Sequence, residues 1–247
     1  MKKSLYIWLI LSLVVALPQT ASDLTNSNFN IVNTAYAAPY GGSGGGGNRT
    51  ADINEQIHLV FMREEEKLAR DVYITLGKRY PDLTVFTNIV RSEQRHTNKV
   101  KSLLDRYGIE DPSSSDEVGE FTGEDYGWYF TEKYDELVAW GYMSDIEALK
   151  VGAFIEELDM IDIAQCPKVI VETDNGIDDF LSCGKVYADN LDINRVYEYL
   201  LEGSKNHLRA YVRNIEIEIG ACNYEAQILT QEQVDEILGC ESDWGDL

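Results

Sequence analysis

Glu93-Gln94-Arg95-His96 sets a carboxylate and an imidazole three residues apart in a stretch with helical periodicity. Residues at i and i+3 share one helix face, so both side chains can reach a single ion. Ile89, Val100 and Leu103 turn that face inward, where an ionised carboxylate is costly unless it is paired or bound to a cation. Glu-x-x-His alone is a weak signal, and its weight comes from its companions. Upstream, Glu66 lies three before Ala69 and seven before Tyr73, on a small, partly apolar face. Glu64 and Glu65 are expected to face solvent, although Glu65 also lines up with Ala69. Downstream, Glu156 aligns with Gly152, Ala153, Met160 and Ile163, and His207 follows in Ser204-Lys205-Asn206-His207-Leu208. The inward donors are then Glu66, Glu93, His96, Glu156 and His207. This mixture of carboxylate and imidazole suits Fe, Mn or Zn. The competing reading is a metal-free, hydrogen-bonded polar layer with Arg70 or Arg95 as counter-ions. Tyr73 and Tyr211 share faces with Glu66 and His207; they could hydrogen-bond the ligands or relay electrons, beside ordinary core packing. The remaining histidine, His58, reads as a surface or hydrogen-bonded residue.

The elements that must position these groups are helices. Ile53, Ile57, Val60, Phe61, Leu68, Ala69, Val72, Tyr73 and Leu76 recur at threes and fours, which marks one helix face. Asp52 is the expected N-cap, and Gly77 with Pro81 marks the end. A second helix is expected from Thr84 to Tyr107, stopped by Gly108, and a shorter one from Glu124 to Trp140. Ser144-Asp145-Ile146-Glu147 has the pattern of a capping box and opens a third long helix ending before Pro167. A fourth runs from Asp192 to Ile219. Thr230-Gln231-Glu232-Gln233 opens a short last helix that ends at Gly239. Between the third and fourth long helices, Lys168-Val169-Ile170-Val171-Glu172-Thr173 is β-branched, and Asp174-Asn175-Gly176 is a turn signal. A small hairpin or irregular excursion is expected there.

The pattern resembles a known superfamily. One Glu on each of two helices, with Glu-x-x-His on the other two, is similar to the di-metal carboxylate pattern of ferritin-like and rubrerythrin-like proteins. Glu66-Lys67-Leu68-Ala69-Arg70-Asp71-Val72-Tyr73 resembles the first-helix motif of rubrerythrins, and Ser92-Glu93-Gln94-Arg95-His96 their second. Together with Met62-Arg63-Glu64-Glu65 and Gly203-Ser204-Lys205-Asn206-His207-Leu208-Arg209-Ala210, they resemble an uncharacterised branch, family 2202 of the domains of unknown function. The resemblance implies an all-α, ferritin-like four-helix bundle. A short extra helix would lie between helices two and three, and a small disulfide-pinned excursion between helices three and four. It also implies one or two bound ions of Fe, Mn or Zn, and ferroxidase- or peroxidase-like oxidoreductase chemistry. The full pattern has Glu three residues before the last histidine; here Ser204 stands in its place, which leaves the number of ions open. No cysteine-ligated rubredoxin module is present, so electrons would come from a redox partner. The alternative function is a cell-envelope scaffold with a metal-free polar core, whose aromatic stretch from Phe121 to Tyr142 would meet a partner or pack across the bundle.

The chain of 247 residues carries a formal charge of −22. Such a surface repels nucleic acid and anionic lipid and tolerates cations. Met1-Lys2-Lys3 followed by an apolar run to Leu17 fits a secretory signal, too short for a membrane span. Residues 1–22 are therefore expected to be a signal peptide, 23–50 a flexible Gly-rich linker, and 51–247 the helical domain. The mature chain is expected to be secreted or held in the cell envelope, without stable membrane insertion; a homo-oligomer is compatible. The four cysteines, Cys166, Cys183, Cys222 and Cys240, suit two disulfides in an exported protein. Proximity favours Cys166–Cys183 and Cys222–Cys240. There is no glycine-rich phosphate loop before a helix and no nucleophile elbow, so nucleotide-binding and hydrolase readings lack support.

Overall fold

The computed structural model describes residues 50–173 and 176–240. The expected signal peptide and all but the last residue of the expected linker lie outside them.

Among the described residues seven helices follow one another: α1 (Ile53–Arg79), α2 (Thr84–Tyr107), α3 (Gly127–Gly141), α4 (Asp145–Ala164), α5 (Lys168–Glu172), α6 (Leu191–Ile219) and α7 (Gln231–Leu238). The caps fall where local chemistry puts them. Asp52 accepts from the backbone N–H of Asn54 and Glu55 while Glu55 reaches back, a full capping box. Thr230 and Gln233 do the same for α7. Ser144 accepts from Glu147 N–H at the start of α4. Gly108 closes α2 in the left-handed conformation at φ 68°, which a residue without Cβ adopts freely. The middle helix starts at Gly127 rather than Glu124, because residues 124–126 form a turn in which Gly127 N–H bonds Gly123 C=O at 2.9 Å.

Packing joins α1 with α2 and α4 with α6, and the two pairs meet through α1–α4 and α2–α6 contacts. The α3 helix lies against α1 and α4. Phe61 of α1 meets Tyr126, Tyr129 and Phe130 there. Of the aromatic residues from Phe121 to Tyr142, Tyr126 and Phe130 are buried and Phe121, Tyr129, Tyr134 and Trp140 partly so, while Trp128 and Tyr142 are left 58 % and 47 % exposed.

The expected hairpin between the third and fourth long helices is not what forms. Residues 168–172 make the short helix α5, whose Ile170 is buried, and no strand occurs among the described residues. Pro167 sits before it with φ −55°, suited to a helix start, and tertiary packing overrides β propensity. The returning segment has another role. Lys185 and Val186 donate their N–H groups to the carbonyls of Ile163 and Ala164, which the end of α4 would otherwise leave open. Cys166–Cys183 ties this region, and Cys222–Cys240 ties the C-terminal one. Disulfides fit an oxidising compartment. No helix among the described residues is long and apolar enough to cross a membrane.

Candidate metal centre

Four helices each contribute to one buried cluster: Glu66 from α1, Glu93 and His96 from α2, Glu156 from α4 and His207 from α6. All five are buried, His207 the least so at 7 % exposure. The i, i+3 spacing on α2 aims Glu93 and His96 the same way. His96 Nδ1 lies 3.2 Å from Glu66 Oε2 and 3.1 Å from Glu93 Oε2. His207 Nδ1 lies 2.7 Å from Glu93 Oε1 and 3.4 Å from Glu156 Oε2. Glu93 thus stands in the middle, one oxygen toward each imidazole. The two imidazole rings stack with centroids 5.3 Å apart.

Close as these atoms are, they do not form ordinary hydrogen bonds. His96 Nδ1, His207 Nδ1, Glu93 Oε1 and Glu66 Oε1 are all buried without a hydrogen-bond partner. Native interiors rarely leave such atoms unsatisfied, and an ion is one of the few explanations. Electrostatics describe the metal-free cluster. Burial pulls the His96 imidazole down, but Glu66 and Glu93 outweigh it and push it up to about 12. For His207 burial likewise pulls down, and Glu156 and Glu93 raise it to about 10. Burial pushes the Glu93 carboxyl up, but the facing His207 and His96 hold it at about 2. Burial raises Glu66 to about 7 against the pull of His96. Burial raises Glu156 too, against His207. Protons on the imidazoles thus offset the negative charge that a cation would otherwise balance.

Backbone proximity makes room for the rings. A Cβ at Gly203 of α6 would lie 2.4 Å from His96 Cε1 and 2.5 Å from Nε2. A Cβ at Gly152 of α4 would lie 2.4 Å from Tyr211 Cε1. Tyr73 donates its hydroxyl to Glu156 Oε1 at 2.6 Å and packs against Tyr211 at 5.2 Å. The Tyr211 hydroxyl has no hydrogen-bond partner. Ser204 does not face the imidazoles as an acid would. Its hydroxyl turns to Asp159 Oδ2 and Leu200 C=O.

The expected counter-ions are absent from the cluster. Arg70 points the other way, to Asp71, Gln94 and Asp116, and Arg95 is exposed. His58 is fully buried: Nε2–H donates to Asp162 C=O, and Nδ1 accepts from Tyr197 OH. Burial lowers it to about 4, so it is neutral.

The expectation that Glu64 and Glu65 face solvent is corrected. Both are buried. The segment after α2 covers one side of α1, where Gly123 N–H donates to Glu64 Oε1 at 3.0 Å. On another side Glu65 meets Asp162 of α4; burial, then Asp162 and Asp159, push its carboxyl well up. A helix covered on several sides buries residues that a one-face reading leaves outside. Asp159 is the inward residue that sequence reasoning passed over. It lies three residues after Glu156, so the same i, i+3 rule pointed to it. Glu157 has a structural role instead: its carboxylate accepts from Tyr224 OH and from the N–H groups of Gln227, Ile228 and Leu229.

Known proteins place the chain. It is 42 % identical over 191 residues to the uncharacterized protein MJ0754 of Methanocaldococcus jannaschii, covering 77 % of this chain and 90 % of that one. The crystal structure of the hypothetical protein MJ0754 from Methanococcus jannaschii superposes with a TM-score of 0.63 at 41 % identity, covering 77 % of this chain and 95 % of the other. Residues 55–241 match the uncharacterized protein domain DUF2202, a span taking in every donor of the cluster, and the chain therefore belongs to the DUF2202 family.

Proposed function

We propose that this chain is an exported metal-binding protein of ferritin-like four-helix architecture, holding one or two Fe, Mn or Zn ions through Glu66, Glu93, His96, Glu156 and His207. The observation that carries this reading is the convergence of imidazole nitrogens and carboxylate oxygens at 2.7–3.4 Å with buried atoms left unsatisfied. Donors bound at about 2.1 Å around one ion, at right angles to each other, stand about 3 Å apart. The donor set is mixed O and N, which suits these metals and not the all-oxygen preference of calcium. Glu66 and His96 would hold one position, Glu156 and His207 the other, with Glu93 facing both. Bound iron would supply redox chemistry toward oxygen or peroxide, with electrons from a partner protein. Tyr73, hydrogen-bonded to Glu156, would fix that carboxylate's orientation. The two disulfides support an extracytoplasmic setting, with residues 1–22 as signal peptide and 23–50 as tether.

Elemental analysis of the purified mature chain tests this. One or two equivalents of Fe, Mn or Zn are expected, falling to background in Glu93→Ala and His96→Ala. A wild-type chain without metal after reconstitution with all three would overturn the reading.

A further inference from the structure

We infer that Asp159 is a fourth carboxylate of the cage, held in place by Ser204, and that it completes the donor set for two divalent ions. The inference rests on the metal-binding reading above and goes beyond it in naming a further ligand and a stoichiometry.

Asp159 comes from α4, one turn beyond Glu156, and is 6 % exposed. It is one turn from Glu156 on α4 and hydrogen-bonded to Ser204, itself one turn from His207 on α6, which sets it at the α4–α6 seam beside the cage, with Glu66, Glu156, Glu93 and Glu65 as its charged neighbours. No cation offsets it: no Lys, Arg or His forms an ion pair with it among the described residues. Its Oδ1 is buried without a hydrogen-bond partner. Its Oδ2 accepts the Ser204 hydroxyl at 2.5 Å. The serine has one proton and two acceptors, Asp159 and Leu200 C=O at 3.0 Å, and a charge-assisted bond to an ionised Asp159 is the stronger.

This arrangement gives Ser204 a purpose. It lies three residues before His207, one turn back on the same face of α6, where a longer acidic side chain would reach the cage directly. A serine there is too short and too weak a donor. It instead orients an acid supplied by the helix across the seam, as outer-shell hydrogen bonds orient ligands elsewhere. One oxygen of Asp159 is engaged by Ser204 and the other is free. Charge agrees with the assignment. Glu66, Glu93 and Glu156 carry three negative charges when ionised, and Asp159 makes four, which neutralises two divalent ions in a buried site.

The experiment is a titration of the metal-stripped mature chain with Mn²⁺, following stoichiometry by calorimetry and spin coupling by electron paramagnetic resonance. Wild type is expected to bind two Mn²⁺ with the spectrum of a coupled pair. D159N keeps the shape and an acceptor for Ser204 but loses the charge. It is expected to bind one Mn²⁺ with an uncoupled six-line spectrum, or to bind the second ion at least ten-fold more weakly. S204A leaves Asp159 charged but unheld, and a smaller loss for the second ion is expected. It also serves should D159N fail to fold. Two ions bound with unchanged affinity in D159N, or in S204A if that is the only variant that folds, would overturn the role of Asp159 while leaving the metal-binding reading intact. A wild-type chain that binds one Mn²⁺ would overturn the inference in the same way. A wild-type chain that binds none would overturn both.

Discussion

On the outer side of α1, Lys67 and Asp71 are fully buried and bonded to each other at 2.6 Å, Arg70 holds the second oxygen of Asp71 at 2.8 Å, and Arg63 bridges to Asp111 and Thr97. The connecting segment finishes the set. Asp71 accepts from Gly119 N–H, Lys67 donates to Glu117 C=O and lies over the Phe121 ring, and Arg70 donates to Asp116 C=O. On the inner side of the same helix, Glu66 faces Glu93, His96 and their companions, and polar atoms there point at one another without hydrogen bonds. Both layers are charged and largely buried. The outer layer balances cations against anions and fills its donors and acceptors from a loop. The inner layer has an excess of acids and leaves Glu66 Oε1, Glu93 Oε1 and both imidazole Nδ1 atoms without a hydrogen bond. The first is what a charged layer looks like when its task is to hold a strap on a helix. The second, with its buried atoms unpartnered, is what motivates the metal-binding proposal.

The outer layer should be separable from the inner one by mutation. Asp71→Ala removes the shared acceptor of Lys67, Arg70 and Gly119 N–H. Stranding buried cations costs about 3–5 kcal/mol, so chemical denaturation should show a loss of that order. Metal bound per folded molecule should stay at the wild-type value. A loss of metal from the folded fraction would mean that the layers are not separate.

From the inner side, saturating metal should stabilise the wild type by mass action, about 2.7 kcal/mol at a hundred-fold excess over Kd. Asp71→Ala should gain as much, and Glu93→Gln should gain nothing. Thermal melts with and without Mn²⁺ read this difference. An equal metal-induced shift in Glu93→Gln would show that Glu93 is not at the centre.

Acidity separates the two layers again. His207 and His96 are raised above an unfolded value near 6.5, to about 10 and about 12. Their contribution is full below pH 6.5 and is lost as pH rises through those values. Glu66 is raised to about 7, so its ionisation in the folded chain lowers stability between about pH 4.5 and 7. Both act in the same direction. The metal-stripped protein should lose melting temperature from pH 5 to pH 10, and bound metal, which displaces those protons, should remove most of the slope. A flat profile for the stripped protein would contradict the electrostatics of the cage.

The smallest effect is the sharpest on geometry. Tyr73→Phe deletes one hydrogen bond to the Glu156 carboxylate, worth about 1.5–3 kcal/mol at most. Metal affinity should fall by about ten-fold with stoichiometry unchanged. A change in the number of ions would promote Tyr73 from positioning Glu156 to a direct role.

Much of this was legible from residue order alone. The caps at Asp52, Ser144 and Thr230, and the stop at Gly108, are short-range chemistry that involves a few adjacent residues, and the helices begin or end at them. Glu93 and His96 were legible because an i, i+3 pair shares a face on any helix. Glu156 and His207 followed from the same periodicity, and the disulfide pairing from proximity. Helix α5 was not legible: Val169, Ile170 and Val171 favour strands locally, and only the tertiary packing that buries Ile170 decides otherwise.

Residue order is enough to place the six longer helices and the faces that carry Glu66, Glu93, His96, Glu156 and His207, because those properties depend on neighbours a turn away. Which charges were left facing the imidazoles and which were satisfied by other partners was decided only by the packing. Glu64 and Glu65 sit beside Glu66 with the same side chain, yet one receives a backbone N–H from Gly123, one meets Asp162, and one faces the imidazoles. That outcome depends on what lies across each seam, and so does the partnership of Ser204 with Asp159, two residues 45 positions apart in the chain that only the packing of α6 on α4 brings within a hydrogen bond.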